Sequence, residues 1–224
     1  MKTFYKAIRH FIYPDYCMHC YEAIEDQRLF FCKGCLQLLD WIDPKTRCRY
    51  CFKILDSPEV QIDCGSCGKQ RNRFAAAMDY QGPAGTLLKE IKYGIRHDLA
   101  KIAAAKIIVQ WERLNWPKPD LIIPIPSSRP AVKLIAEALG KILEAPVQQL
   151  MKRKFLALPQ HRLSLEQRDK IQTDSFVIKH PMEICGKIVF LIDDVLTTGG
   201  TMRASCGAVE ASFPSQIFGL AFCG

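Results

Sequence analysis

The sequence predicts an α/β protein whose mostly parallel sheet is covered by helices on both faces, with a small metal-held module ahead of it. Three observations predict this. Apolar strand-like runs alternate with amphipathic stretches from residue 73 onward. Eight of the eleven cysteines fall in residues 17–67 as four Cys-x-x-Cys pairs. One fully apolar run, within residues 189–201, ends in two adjacent carboxylates and a loop rich in threonine and glycine. With 224 residues, the chain has material for one ordinary domain and an appendage. The division expected is a helical leader over 1–13, a cysteine-rich block over 14–72 and an α/β domain over 73–224.

In the leader, Phe4, Ile8 and Phe11 fit one face of a short helix that packs on the protein itself. The start has no apolar h-region and no small-residue cleavage site, so a secretory signal is not expected and a cytoplasmic protein is. No apolar run approaches the ~18 residues of a membrane-spanning helix.

The pairs Cys17/Cys20, Cys32/Cys35, Cys48/Cys51 and Cys64/Cys67 are separated by 11, 12 and 12 residues. Two thiolates three positions apart grip one ion from a tight turn, and two such turns complete a tetrahedral site. A disulfide framework would need an oxidising compartment, and a redox Cys-x-x-Cys is normally single. One or two structural Zn2+ ions are therefore expected on these eight sulfurs. Sequential pairing gives two zinc ribbons, and a cross-braced pairing is also sterically allowed. His19, inside the first knuckle, is expected to face solvent because four sulfurs already fill each site. Eight thiolates and two Zn2+ together subtract four from the formal net charge of +8, an excess too mild to demand nucleic acid by itself.

The α/β part reads in order. Residues 74–80 form a first strand, Pro83 opens a helix carrying Leu87, Leu88 and Ile91, and residues 99–114 are a second amphipathic run. Residues 121–126 are a buried strand ending in a rigid Pro-Ile-Pro turn, since proline donates nothing to a ladder. Residues 131–143 are helical, 152–170 a basic loop or partly helical flap, 188–192 a buried strand, 201–211 a helix and 216–222 a last strand. Lys92 and Tyr93 suit either a surface contact or a ligand role. Cys185, Cys206 and Cys223 are expected as small core residues.

The chemistry concentrates in Asp193-Asp194-Val195-Leu196-Thr197-Thr198-Gly199-Gly200-Thr201. Ligands sit at the C-terminal edge of a parallel sheet. Successive amides, threonine hydroxyls and a helix start make a monophosphate cradle. The acids repel a phosphate but suit sugar hydroxyls, with help from hydrated Mg2+. The residues describe a ribose 5-phosphate site.

This stretch resembles the phosphoribosyl pyrophosphate motif of type I phosphoribosyltransferases. With the four cysteine pairs, Ile91-Lys92-Tyr93, the turn at 124–126 and the segments Leu158-Pro159-Gln160 and Leu163 to Arg168, the chain resembles the ComF family. That resemblance implies a double zinc ribbon fused to a type I phosphoribosyltransferase domain that takes phosphoribosyl pyrophosphate with Mg2+. It implies that Thr197, Thr198, Gly199, Gly200 and Thr201 hold the 5-phosphate, that Asp193 and Asp194 hold the ribose hydroxyls, and that Ser127, Ser128 and Arg129 face pyrophosphate. Asp193, Asp194 and Arg129 are the expected catalytic residues. Lys152, Arg153, Lys154, Arg162 and Arg168 could close as a lid or form a solvated loop, and His161 could serve as an acid/base group. The family's Arg-Gly-x-Asn-Gln segment after the turn is replaced by Ser127-Ser128-Arg129-Pro130-Ala131-Val132, which bears on the acceptor side. No glutaminase domain fits in the cysteine block, so glutamine-dependent amide transfer is not expected. The family further implies a part in DNA uptake in natural transformation, with single-stranded DNA and other uptake proteins as partners. Arg47, Arg49, Tyr50, Phe52, Lys53, Arg71 and Arg73 would then be a strand-binding surface or the plain coat of a small domain. A ligand sensor without turnover is the remaining reading.

Overall fold

The computed structural model describes residues 15–24, 29–59, 61–67, 72–94, 96–154 and 175–224. A short hairpin of β1 (Asp15–Tyr16) and β2 (Ala23–Ile24) and a one-turn helix α1 (Lys33–Gln37) belong to the cysteine block. There follow β3 (Arg73–Met78), α2 (Gly82–Tyr93), α3 (Ala100–Arg113), β4 (Leu121–Pro124), α4 (Ala131–Leu143), β5 (Met151–Arg153), β6 (Phe176–Ile178), β7 (Ile188–Val195), α5 (Gly200–Glu210) and β8 (Gln216–Cys223).

Four strands make one sheet in the order β3-β8-β7-β4, every neighbouring pair parallel. Its centre is apolar on both faces, as helices on both sides require: Val189 to Ile192 and Leu121 to Ile123 are fully buried. Trp116 packs against Phe218 at 4.8 Å between ring centroids and meets Phe190 edge-on at 6.5 Å. Each helix buries one stripe: Leu87, Leu88 and Ile91 of α2, Ala103 and Ile107 of α3, and Val132, Ile135, Ala136 and Leu139 of α4. α4 ends at Glu144 in the left-handed region, and Gly140 lets the returning chain approach, since a Cβ there would meet the Ala145 carbonyl at 2.8 Å.

The cysteine block covers the outer edge of β3. Trp41 bridges antiparallel to Met78, the Ile42 amide donates to the Ala77 carbonyl (3.0 Å), and the Phe74 amide donates to the Tyr50 carbonyl (2.7 Å). An edge strand left open would template unwanted pairing. From α3, the buried Gln110 amide donates to the carbonyls of Ile42 (3.0 Å) and Ala76 (3.1 Å), tying block, edge strand and helix together. The Trp41 indole donates to the Lys106 carbonyl (3.0 Å), while the Lys106 ammonium donates back to the Leu39 carbonyl (3.0 Å) and lies 3.7 Å from the Trp41 ring centroid. Burial pulls the Lys106 pKa down, against the charge of Asp40.

Expected and observed elements agree to within a few residues through the sheet and its helices. Two side chains differ from expectation. Cys185 is exposed rather than core, because it stands in a turn beside Gly186, whose φ of +72° bends the chain at the surface. His19 is half-buried, its Nδ1 2.9 Å from the Thr86 hydroxyl on α2, because the first knuckle packs against that helix. Residues 152 and 153 of the basic segment are strand β5, paired antiparallel with β6. The leader, Arg71, and the segment with His161, Arg162 and Arg168 lie outside the described residues.

Candidate metal centres and sugar-phosphate site

The sulfurs gather as Cys17, Cys20, Cys32 and Cys35, and as Cys48, Cys51, Cys64 and Cys67, each four within 4.8 Å of one another. Pairing is therefore sequential, and the cross-braced alternative does not occur. The contacts Cys20–Cys32, Cys48–Cys67 and Cys51–Cys64 are each 3.6 Å between sulfurs. That is far beyond a disulfide bond, and close to the ~3.8 Å edge of a sulfur tetrahedron drawn around an ion at about 2.3 Å. The knuckle amides turn toward the thiols, with Cys35 N donating to Cys32 Sγ (3.5 Å) and Cys64 N to Cys48 Sγ (3.4 Å). Burial works against the Cys17 thiolate, but the amides of Cys20, Cys32 and His19 outweigh it and bring its pKa down to about 6. Ser66 donates to Cys64 and brings that thiol to about 6. Burial and the neighbouring sulfurs push Cys35 and Cys67 far up. Such crowding of sulfurs suits a thiophilic cation, which lets all four ionise together. The donor sets fit structural Zn2+, with no open coordination position.

The second constellation lies at the C-terminal edge of the sheet. β7 carries Asp193 and Asp194 to its end, where Asp193 pairs with Ala221 and Val195 with Cys223 of β8, and the Leu196 amide donates to the Cys223 carbonyl (2.8 Å). Asp193 Oδ1 accepts from the Asp194 amide at 2.8 Å. Burial first, then the charge of Asp194, push the Asp193 pKa up to about 6, against the Asp194 amide, Lys92 and Arg153. Asp194 Oδ2 receives the Lys92 ammonium at 2.9 Å. Across the sheet, burial pushes the Cys223 thiol up to about 12, so it stays protonated.

The loop that follows exposes Thr197, Thr198 and Thr201. Gly199 caps α5 with φ +76°, a left-handed conformation that glycine adopts without penalty. The first-turn amides of a helix have no intrahelical acceptor and face outward along its axis. Arg203, one turn into α5, donates to the Thr198 carbonyl (3.0 Å) and braces the loop from behind. Across the edge, the turn after β4 exposes Ser127, Ser128 and Arg129, and the Arg129 amide donates to Ser127 Oγ (3.2 Å). The Arg129 guanidinium stands 4.8 Å from the Tyr93 ring centroid. A cleft of about 410 Å3 opens beside this turn, lined among others by Pro126, Ser128, Arg129, Lys133 and Gln149.

Acids, loop and turn are thus carried by β7, α5 and the β4–α4 connection to one edge. Sequence reasoning left the partners of Lys92 and Tyr93 open and missed Arg203. Lys92 and Asp194 are 102 positions apart, and nothing local in the sequence links them.

No protein-family model matches the chain. The Bifunctional protein PyrR of Staphylococcus carnosus (strain TM300) is 38% identical over 95 residues, which cover 40% of this chain and 53% of that protein. The chain thus spans about half the length of that curated relative. Among solved structures, the allosteric regulatory enzyme of purine biosynthesis and the glutamine phosphoribosylpyrophosphate (PRPP) amidotransferase from B. subtilis give TM-scores of 0.41 and 0.42 at 15% identity. Each comparison covers 59% of this chain and 30% of the other. The parallel sheet flanked by helices and its acid-to-glycine-loop strand end give the chain a type I phosphoribosyltransferase fold, preceded by two four-cysteine groups consistent with a double zinc ribbon. Among the described residues, no helix is long and apolar enough to cross a membrane.

Proposed function

We propose that the protein binds phosphoribosyl pyrophosphate as its Mg2+ complex and transfers the phosphoribosyl group to an acceptor, and that it serves DNA uptake as the ComF resemblance implies. The observation that carries the sugar-phosphate part is the convergence of Asp193, Asp194, the 197–201 loop and Arg129 on one sheet edge. The loop amides and threonine hydroxyls hold the 5-phosphate, and the acids accept from the ribose hydroxyls. In the reaction the bond from C1 to the pyrophosphate oxygen breaks, its electron pair leaves with pyrophosphate, and the acceptor's lone pair forms the new bond to C1. Mg2+, arriving with the substrate, spreads the charge of the leaving group. Arg129 supplies a fixed cation on the pyrophosphate side, and the Tyr93 face seats it. The eight cysteines hold structural Zn2+ and take no part in the chemistry.

Calorimetry with Mg2+ and phosphoribosyl pyrophosphate tests this reading. Binding is expected in the wild type and lost in Asp193→Asn with Asp194→Asn. A wild type that binds nothing removes both the enzyme and the sensor. A pyrophosphate-release screen across acceptors then separates these two, and the sensor reading gains from the short connection in which α4 follows Pro130 directly. For DNA, the candidate surface is smaller than the sequence suggests. Phe52 is buried, and Arg47 is engaged by Asp79 at 3.1 Å, which leaves Arg49, Lys53 and Arg73 as the exposed cations of this set among the described residues. Single-stranded DNA affinity is expected to fall steeply with salt and to drop when these three are neutralised.

A further inference from the structure

Lys92 and Tyr93 close the last turn of α2, and neither serves the packing of that helix, whose buried stripe is Leu87, Leu88 and Ile91. Tyr93 is 66% exposed, with one face of its ring turned to the Arg129 guanidinium. Successive helical residues diverge by about 100°, so the two side chains reach different groups. Lys92 places its ammonium 2.9 Å from Asp194 Oδ2, with the two side chains 16% and 13% exposed. Tyr93 lies under the Arg129 guanidinium at 4.8 Å. One helix end therefore touches both sides of the sheet edge.

We propose, resting on the sugar-phosphate reading above, that Lys92 is a positioning residue of that site: it fixes the Asp194 carboxylate for the ribose and balances the charge of the paired acids, so that a polyanionic sugar pyrophosphate is admitted. Two unbalanced carboxylates would meet a substrate carrying several negative charges, and like charges in a half-buried site repel strongly. A lysine on the outer acid leaves one net negative charge on the pair, enough to accept from hydroxyls without repelling the phosphates. The groups facing Asp193 are Asp194 on its own strand, Lys92 from α2 and Arg153 from β5; the protonated Cys223 of β8 faces Lys92 and Asp194. Removing Lys92 takes a cation from this set and raises the Asp193 pKa further above about 6. Asp193 accepts best when ionised, so binding in the variant fails at a higher pH than in the wild type.

The experiment is calorimetry of the full chain with Mg2+ and phosphoribosyl pyrophosphate between about pH 5 and pH 8. It compares wild type, K92M and K92R, with K101M on the exposed side of α3 as control. At the upper pH, K92M is expected to bind about tenfold more weakly or worse, K92R within about threefold of wild type, and K101M unchanged. The acid limb of K92M is expected to lie at higher pH. Should methionine prevent folding at this half-buried position, K92Q carries the same expectation. Wild-type affinity with an unmoved acid limb in K92M or K92Q overturns the inference, as does K92R binding as weakly as K92M. A wild type that binds nothing overturns the sugar-phosphate reading itself, and the inference with it.

Discussion

In the sheet, cohesion comes from side chains: β7 is buried from Val189 through Ile192, and β8 from Ile217 through Cys223. Residues 15–67 hold together differently. Among the described residues their buried apolar side chains beyond cysteine are few (Ile24, Phe31, Leu39, Ile42, Phe52, Leu55), most of them continuous with the core of the sheet, and two sets of four sulfurs gather at their chain reversals. A small module with so little apolar burial does not outweigh its chain entropy by packing alone, and two four-sulfur groups that fit a metal ion are the feature able to supply the difference. The sheet domain needs no metal for its core, but its edge strand β3 depends on the module for cover.

The largest effect should follow from attacking the metal centres. Structural zinc contributes roughly 10–16 kcal/mol to the folding of small zinc modules. Cys48→Ser is expected to unfold the second half of the module, release its ion and expose 41–50 to protease, with aggregation through the bared β3 edge, and a strong chelator to unfold both halves. Metal analysis should count two zinc ions per wild-type chain and one in the variant. A variant with both ions and an unchanged melt would break the contrast between the two regions.

Next comes the seam. Gln110 is fully buried and bonded to Ile42 and Ala76, and its own oxygen accepts from Arg113 at 3.1 Å. Gln110→Leu keeps the bulk but removes both donations, leaving the Ile42 carbonyl with the Arg113 guanidinium alone (3.2 Å), at a cost of about 2 kcal/mol. The melt should fall by roughly 5–10 °C, with metal content unchanged. No shift would mean that the module sits on the sheet without supporting it.

The seam also shows where the sequence stops being informative. The strands and the cysteine knuckles were legible because apolar runs and repeated Cys-x-x-Cys spacing are local signals. Gln110 left a faint one, a polar residue on the stripe of Ala103 and Ile107 where the helix pattern asks for an apolar side chain. The antiparallel pair β5–β6 left none: three residues per strand, with Met151 and Phe176 as the buried members, do not make a period. The acid pair and glycine loop were legible as a motif. The Lys92 ammonium that meets Asp194 was not, since it comes from the far end of another helix. His19 misled for a similar reason, because a spare imidazole in a filled knuckle looks solvated until a neighbouring helix packs on it.

A third effect separates function from stability within the sheet. The Asp193 pKa is raised from 3.8 to about 6, so the fold favours its neutral form. That preference adds stability at low pH and is lost as pH rises through about 6. Asp193→Asn keeps a neutral side chain at every pH. It should therefore melt higher than wild type above pH 6, by on the order of 1–3 kcal/mol, and converge with it below about pH 4. Phosphoribosyl pyrophosphate binding should be lost in the same variant. A variant no more stable at pH 7.5 than the wild type would show that the acid is not strained by its site.

The smallest effect probes whether the metal module reaches the site or merely covers an edge. His19 stands between two sulfur ligands and meets Thr86 in the first half of α2, whose last turn delivers Lys92 to Asp194. A single half-buried hydrogen bond is worth about 1 kcal/mol. His19→Ala should lower the melt by a few degrees and leave both zinc ions in place, because no cysteine is touched. Its effect on substrate affinity is the informative measurement. α2 is anchored independently by Leu87, Leu88 and Ile91, each buried in the core, so a helix held at three points should not let one lost contact travel to Lys92. Affinity for phosphoribosyl pyrophosphate should thus stay within about twofold of wild type. A larger loss, with both ions retained, would mean that the first knuckle sets the position of α2, and that the division between a metal-held cover and a self-sufficient sheet is drawn in the wrong place.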